Sequence, residues 1–163
     1  MQAIKSLLIA ELKEHSNTPE YQTQAAGDQR YLFTRDFVLK VTRLTHKYHT
    51  IIHHAMKKQA EDRRLAAIEQ EDELEYTRAF YLQDIEKMRM ATEIEDIIFD
   101  YFGIIETQYE AATNHFKEEA SFQADKLKIQ AEIKQYMQDE YDVPVDDTEK
   151  LKKLTKEQAE EYF

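Results

Sequence analysis

Residues 37–55 read FVLKVTRLTHKYHTIIHHA, and this stretch is the strongest indication of the fold. Its apolar side chains recur in alternating steps of four and three residues, at Phe37, Val41, Leu44, Tyr48, Ile51 and Ala55. Steps of this size return to the same side of an α-helix, as in the heptad seam of a coiled coil. The stretch therefore predicts a long amphipathic helix with one face packed against another helix.

A second apolar series follows similar spacing further along the chain. Its members are Leu74, Tyr81, Ile85, Met88, Ala91, Ile94, Ile98, Tyr101, Ile105, Tyr109, Ala112, Phe116 and Ala120. Between residues 31 and 141 there is no proline, and Gly103 is the only glycine. A helix could cover that whole distance, but helices in globular proteins average about 11–12 residues, so we expect at least one break.

Composition points to an all-α protein. Only 2 glycines and 2 prolines are present, whereas the tight turns of β-sheets depend on such residues. The 10 tyrosines and 8 phenylalanines exceed what a narrow two-stranded seam accommodates, because such seams favour Leu, Ile and Val. We therefore predict a long antiparallel helical hairpin or coiled-coil-like bundle, with short N- and C-terminal helices, over an isolated dimeric coiled coil.

Four segments are predicted along the chain. Residues 1–15 form a short amphipathic helix, and residues 16–30, which contain Pro19 and Gly27, form a linker. The long hairpin or bundle occupies residues 31–142. A last helix lies within 143–163, starting after Pro144 at a capping-box-like pair, Asp146 and Glu149, and presenting Leu151, Leu154 and Tyr162.

Charge is distributed unevenly between the two apolar series. Residues 34–64 carry eight basic and three acidic side chains, and residues 65–115 carry thirteen acidic and three basic ones. Neighbouring segments of opposite sign suit an antiparallel hairpin, with its turn between Glu61 and Asp72. The alternative is that the basic segment faces an anionic partner. Self-pairing is favoured because the acidic complement lies in the same chain.

Several functional classes are disfavoured by composition. The formal net charge of −11 argues against binding to nucleic acid or anionic membranes. The absence of cysteine excludes disulfides and thiolate metal sites and fits a reducing compartment. Residues 1–10 are short and followed by acids, unlike a signal peptide, and the most apolar run, 97–105, is far shorter than the ~20 residues of a membrane span. We expect a soluble, cytoplasmic protein, with cytoskeletal association as one option.

Three histidines are the candidate metal ligands. His46, His49 and His53 share one face of the predicted helix, and imidazoles so placed can ligate zinc or form a pH-sensitive contact. Against this, His46 and His53 fall at outer positions of the seam, where histidines are usually solvated or packed under another helix. We favour that second interpretation and predict no metal and no cofactor.

No constellation of residues predicts catalysis. Glu93, Asp96 and Asp100 could supply a general acid if buried, but on so acidic a helix a solvated stripe is favoured. The basic pairs at 57–58 and 63–64 lack neighbouring aromatics for nucleic-acid bases to stack on. There is no glycine-rich phosphate loop and no nucleophile motif. We expect the protein not to be an enzyme.

The predicted interface is the most apolar band of the chain, formed by Ile97, Ile98, Phe99, Tyr101, Phe102, Gly103, Ile104 and Ile105. Because this band is apolar almost all round its helix, the terminal helices or a partner protein must cover it. Gly103 in its middle suggests close approach of another backbone. The favoured function is a structural, scaffolding subunit of a protein complex or homo-oligomer. The alternative is a small regulatory bundle, such as an adaptor, inhibitor or chaperone, that binds one partner transiently.

Overall fold

The computed structural model describes residues 2–22 and 32–141, and these form an all-α fold. The described helices are α1 (Gln2–Leu12), α2 (Arg35–Glu69), α3 (Glu73–Phe102), α4 (Glu106–Phe116) and α5 (Ala120–Tyr141). Outside them, Tyr21 and Phe33 form an isolated antiparallel bridge. The prediction of an all-α helical hairpin bundle is confirmed. The predicted last helix and residues 23–30 of the predicted linker lie outside the described residues.

Helices α2 and α3 form the long antiparallel hairpin, with its turn at residues 70–72. The turn is a Schellman motif in which Glu71 donates its N–H to the Ile68 carbonyl and Asp72 donates to Ala67. Glu71 adopts a φ of 53°, the left-handed conformation that this motif requires. Asp72 then caps α3 by accepting a hydrogen bond of 2.9 Å from the Glu75 N–H. The turn thus lies inside the predicted interval.

The apolar band near Gly103 is divided by a helix end. Gly103 ends α3 at a φ of 63°, and the amide of Ile104 donates to the Phe99 carbonyl at 2.8 Å, forming a second Schellman motif. A Cβ placed on Gly103 would meet no atom within 4 Å. The expected approach of another backbone is therefore wrong for the described chain, and the glycine is explained by its left-handed conformation.

The first half of α2 is the centre of the bundle. Phe37, Val41, Leu44, Tyr48 and Ile51 of the predicted seam are all buried. Helix α1 lies across this region, where its buried Leu8 and Leu12 join the core. Its Glu11 carboxylate accepts hydrogen bonds from Lys47 at 2.7 Å and from Tyr48 at 2.9 Å, and its Lys5 pairs with Glu93 of α3.

Helix α5 lies along α2 and runs in the same direction. Two ion pairs and two ring contacts join them in chain order: Arg35 with Asp125, Arg43 with Glu132, Lys47 with Tyr136 and His54 with Tyr141. The buried side of α5 consists of Phe122, Ile129, Ile133 and Met137. Three of the eight Lys and Arg side chains of α2, those of Arg35, Arg43 and Lys47, therefore pair with α1 or α5. Between α2 and α3 the structure pairs Arg63 with Glu86 and His49 with Glu95.

The contiguous core stops partway along the hairpin. It ends at Met56 in α2 and Met90 in α3. Of the contacts described above, those closest to the turn of the hairpin are His54 of α2 with α5 and Glu93 of α3 with α1. We call the remaining two-helix part, residues 57–88, the arm. Its α2 portion, from Lys57 to Glu69, is about 20 Å long at 1.5 Å per residue.

Candidate interaction surface

The outer side of the arm carries a row of exposed apolar side chains. Leu74, Tyr81, Ile85 and Met88 of α3 are 80%, 68%, 63% and 70% exposed. They follow one another in steps of seven, four and three residues, which places them on one face of the helix. We call these four residues the outer stripe. From Leu74 to Met88 it is about 21 Å long.

The outer stripe is exposed because α3 packs on α2 through its opposite face. There the arm buries small side chains, Ala60 and Ala67 of α2 and Ala79 of α3, each 5% exposed or less. Arg64 and Gln83 bridge the two helices with a hydrogen bond of 3.3 Å. The first members of the second apolar series, Leu74 to Met88, are therefore not the contact face of α3, whereas Ile94 and Ile98, further along the series, are buried.

Charged residues border the outer stripe on both sides. Arg78 and Arg89 are exposed and lie 3.9 Å from Glu75 and 4.0 Å from Glu93, respectively, within the same helix. Asp84 is exposed beside the stripe. An apolar stripe with charges at its borders is the surface that one helix of a coiled coil offers to another.

The arm exposes further apolar side chains, one of them next to the outer stripe and two on α2. Phe80 is exposed, and its ring contacts that of Tyr81 edge-to-face with 5.7 Å between centroids. On α2, Leu65 and Ile68 are each 60% exposed. Soluble proteins seldom expose contiguous apolar patches of this kind unless the patch binds something. The arm is therefore the part of the described chain best suited to bind another molecule.

The predicted interface band lies mainly inside the bundle. Ile98, Phe102 and Ile104 are buried, Ile97, Phe99 and Tyr101 are partly buried, and Ile105 is exposed. The ring of Phe102 meets Phe37 edge-to-face, with centroids 5.4 Å apart. The hydroxyl of Tyr101 donates to the His15 carbonyl at 2.8 Å. The chain's own helices thus cover much of the band, and a role for it in binding a partner stays a prediction.

The three candidate metal ligands have different surroundings. Nε2 of His49 lies 3.2 Å from a Glu95 carboxylate oxygen and 3.3 Å from the Ala91 carbonyl oxygen, both in α3. His46 is half-buried beside α5, and its pKa is lowered by burial and then by the nearby His49 and Lys126. Burial, with Lys87 and Lys57 near, also lowers the pKa of His53. Within residues 2–22 and 32–141, no group of three His, Asp or Glu side chains could hold a metal ion.

The carboxylates that could have supplied a general acid are not buried. Glu93 is paired with Lys5 of α1, and that hydrogen bond lowers the pKa of its carboxyl group. Asp96 and Asp100 are both exposed. A general acid needs a raised pKa, so the surroundings of Glu93 are the opposite of what that chemistry requires.

Sequence reasoning missed the outer stripe as a surface because the spacing of an apolar series does not show whether that face packs on a neighbouring helix. Ala79 and Gln83 were the available signal for the true contact face. They were overlooked because a small or amidic side chain adds little to an apolar pattern.

Comparisons with known proteins give no relative for this chain. No family model matches it, and neither a curated protein nor a solved structure is similar to it. None of the helices in the described part of the chain is both long and apolar enough to cross a membrane.

Proposed function

We propose that the protein is a non-enzymatic scaffolding subunit that binds another protein through the outer stripe of its arm. The observation that carries this proposal is the exposure of Leu74, Tyr81, Ile85 and Met88 on one face of α3. These side chains contribute nothing to the described core, yet they expose apolar surface whose burial is worth roughly 25 cal/mol per Å². A bound protein would bury it.

The partner surface that fits is an amphipathic helix. The outer stripe is about 21 Å long and spaced in heptad steps, which suits knobs-into-holes packing against a second helix. Arg78 and Arg89 at its border would pair with acidic residues on that helix. We place the complex in the cytoplasm, since a chain without cysteine suits a reducing compartment.

The alternative function is a regulatory bundle that binds one partner transiently, and the closed core favours it. Leu8, Phe37, Ile94, Ile98 and Phe122 are fully buried by the chain's own helices. A chain that buries its core unaided can exist without its partner, as a regulator must. Size-exclusion chromatography with light scattering separates the two: a regulator is a stable monomer when purified alone, and an obligate subunit aggregates.

Site-specific photo-crosslinking in the source cells tests the proposed surface. A photoreactive phenylalanine analogue replaces Ile85 in the outer stripe or, as the matched control, Leu127 of α5, which is equally exposed at 65%. We expect one protein adduct from position 85 that is missing from position 127. In addition, Ile85→Lys should abolish co-purification of that adduct's partner, and Leu127→Lys should not. Equal adducts from both positions would contradict the proposal.

A further inference from the structure

A polar cleft lies between α2 and the three helices that follow it. Its volume is about 270 Å³, slightly below the roughly 300–1,000 Å³ of pockets for drug-sized ligands. Ile129 is the one apolar residue in its lining, and every other lining residue has a polar or charged side chain. The cleft therefore suits a small polar ligand rather than an apolar one.

The charges in the cleft do not balance. Glu95 of α3 supplies the one carboxylate of the lining, and that carboxylate lies 3.2 Å from Nε2 of His49. Lys126 of α5 has no carboxylate partner within residues 2–22 and 32–141, and its ammonium group lies 5.9 Å from the centre of the Phe122 ring. The charge that remains unpaired in the cleft is therefore positive.

His46 of α2 lies near this unpaired charge. Burial lowers the pKa of its imidazole, and the positive charges of His49 and Lys126 lower that pKa further. No acidic side chain of the described residues counters these effects. A bound anion would supply the missing negative charge and would favour the protonated ring.

Hydrogen-bond donors complete the lining. Thr42 and Thr50 of α2 each donate to a carbonyl of their own helix at 2.8 Å. Thr45 lies between them in the sequence, yet its Oγ1 is buried and has no partner in the described part of the chain. Buried hydroxyl groups are normally hydrogen-bonded, so this one is available to a ligand. Gln130, four residues after Lys126 on α5, adds an amide that can donate as well.

We propose that this cleft binds a small oxyanion, such as a phosphate or carboxylate group, between Lys126 of α5 and His46 of α2. Lys126 supplies the positive charge, and Thr45 and Gln130 donate hydrogen bonds to the oxygen atoms of the ligand. The site lies in the bundle and not on the arm. It therefore does not depend on the proposed binding of a protein at the outer stripe.

A metal cation fits the same cleft poorly. Within residues 2–22 and 32–141, no three His, Asp or Glu side chains are placed to hold a metal ion. The single carboxylate of the lining, that of Glu95, already lies beside His49. The donors that remain, an ammonium group, a hydroxyl and an amide, favour an anion.

Binding should strengthen as the pH falls, because His46 then gains a proton. The titratable groups of the cleft besides His46 are His49 on the same helix, Glu95 of α3, Tyr109 of α4 and Lys126 of α5. Burial raises the pKa of Tyr109, so its ring stays neutral. An anion that favours protonated His46 is in turn bound more tightly by the protonated form.

Titration of the full chain with inorganic phosphate tests the site, with the imidazole NMR signals of His46 as the readout and sodium chloride holding the ionic strength constant. We expect these signals to shift and saturate. Lys126→Gln should weaken binding on the order of tenfold, because it removes a charged hydrogen-bond donor. The matched control is Lys134→Gln, which removes an exposed lysine of the same helix and should leave binding unchanged.

A parallel titration with acetate distinguishes the two kinds of oxyanion. Tighter binding of phosphate would identify a phosphate group as the ligand, and tighter binding of acetate would identify a carboxylate. If neither anion shifts the His46 signals, the proposal is wrong. It is also wrong if Lys126→Gln and Lys134→Gln weaken binding equally, since the effect would then come from the overall charge.

Lys126→Arg shows whether charge or shape is responsible. It keeps the positive charge and should retain most of the affinity. A loss as large as that of Lys126→Gln would overturn the proposal, because the charge at this position would then not be what holds the anion.

Sulfate gives an independent measurement, because its charge does not change in neutral or mildly acidic solution. It should bind severalfold more tightly below pH 6.5 than well above that value. His46→Gln should remove this pH dependence and keep the binding that Lys126 provides. If the pH dependence persists in His46→Gln, the proposed pairing of the anion with His46 is wrong.

Discussion

The backbone amide of Asp72 donates a hydrogen bond of 2.8 Å to the carbonyl of Ala67 and closes the turn of the hairpin. The bond holds Glu71 at a φ of 53°, which costs an L-residue with a side chain about 1 kcal/mol. Glycine adopts this conformation freely. Glu71→Gly should therefore raise the free energy of unfolding by about 0.5–1 kcal/mol, measured by chemical denaturation. A lower stability would mean that the carboxylate has a stabilising contact worth more than the strain.

The equivalent position at the end of α3 should respond in the opposite way. Gly103 occupies the same place in its Schellman motif at a φ of 63°, with open space where a Cβ would lie. Gly103→Ala should lower stability by about 1 kcal/mol through backbone strain alone. Gly103→Asn is the control and should cost less, because asparagine tolerates this conformation. Equal losses for Ala and Asn would contradict this explanation.

The fold class could be predicted from the sequence, whereas the end of α3 could not. Phe37, Leu44 and Tyr48 were predictable as a buried seam because large apolar residues recur there without interruption. The end of α3 at Gly103 was not predicted, because the residues on either side of it are equally apolar. The positive φ of Gly103 and the hydrogen bond from Ile104 to Phe99 mark the break, and neither can be seen in residue spacing.

Substitution of Phe102 should lower the stability of the fold strongly. It is buried, and its ring packs against Phe37. Phe102→Ala should cost about 3–5 kcal/mol, because it removes a buried ring and leaves a cavity. Ile105→Ala, three residues further on but exposed, should change stability by less than about 0.5 kcal/mol. Thermal and urea unfolding of both variants measures the difference, and similar losses would contradict the described core.

Substitutions at Ala79 and at Met88 should show that the two faces of α3 contribute differently to stability. Ala79 is buried against α2, so Ala79→Leu should force the arm helices apart and cost about 1–3 kcal/mol. Met88→Ala on the outer stripe should leave stability within about 0.5 kcal/mol. Hydrogen exchange of the arm amides should increase in the first variant only. Greater exchange in the second would mean that the outer stripe is part of the fold.

Stability should fall in mildly acidic solution because of His46. Burial lowers its pKa below the ordinary value of 6.5, so the folded protein binds this proton less readily than the unfolded chain. The stabilising effect of the neutral ring is complete above pH 6.5 and is lost as the pH falls through that value towards the lower folded pKa. His46→Gln should therefore flatten the fall in melting temperature below pH 6.5.

His115→Gln is the control for that measurement, since it removes an exposed imidazole from α4. The fall should be flattened more by His46→Gln than by His115→Gln. Identical profiles would show that the surroundings of His46 are not responsible. Because the pKa of His53 is lowered as well, the variant lacking both His46 and His53 should have the flattest profile.

The candidate surface was less predictable than the fold. Apolar spacing placed Tyr81 and Ile85 in one series, but periodicity identifies a stripe without saying what the stripe packs against. The real contact uses Ala67 and Ala79, whose side chains are small. Only the three-dimensional arrangement shows which of the two faces of α3 meets α2.

Because the arm is separate from the core, its length can change without changing the contacts of the bundle. Because the core stops at Met56 and Met90, seven residues inserted into each arm helix would preserve every contact of the bundle. The turn would move outward by about 10.5 Å, and two heptads would double the shift. The length of the arm is thus adjustable in heptad steps. Paired insertions and deletions in this region would change the distance between the bundle and the turn of the hairpin without altering the contacts of the core.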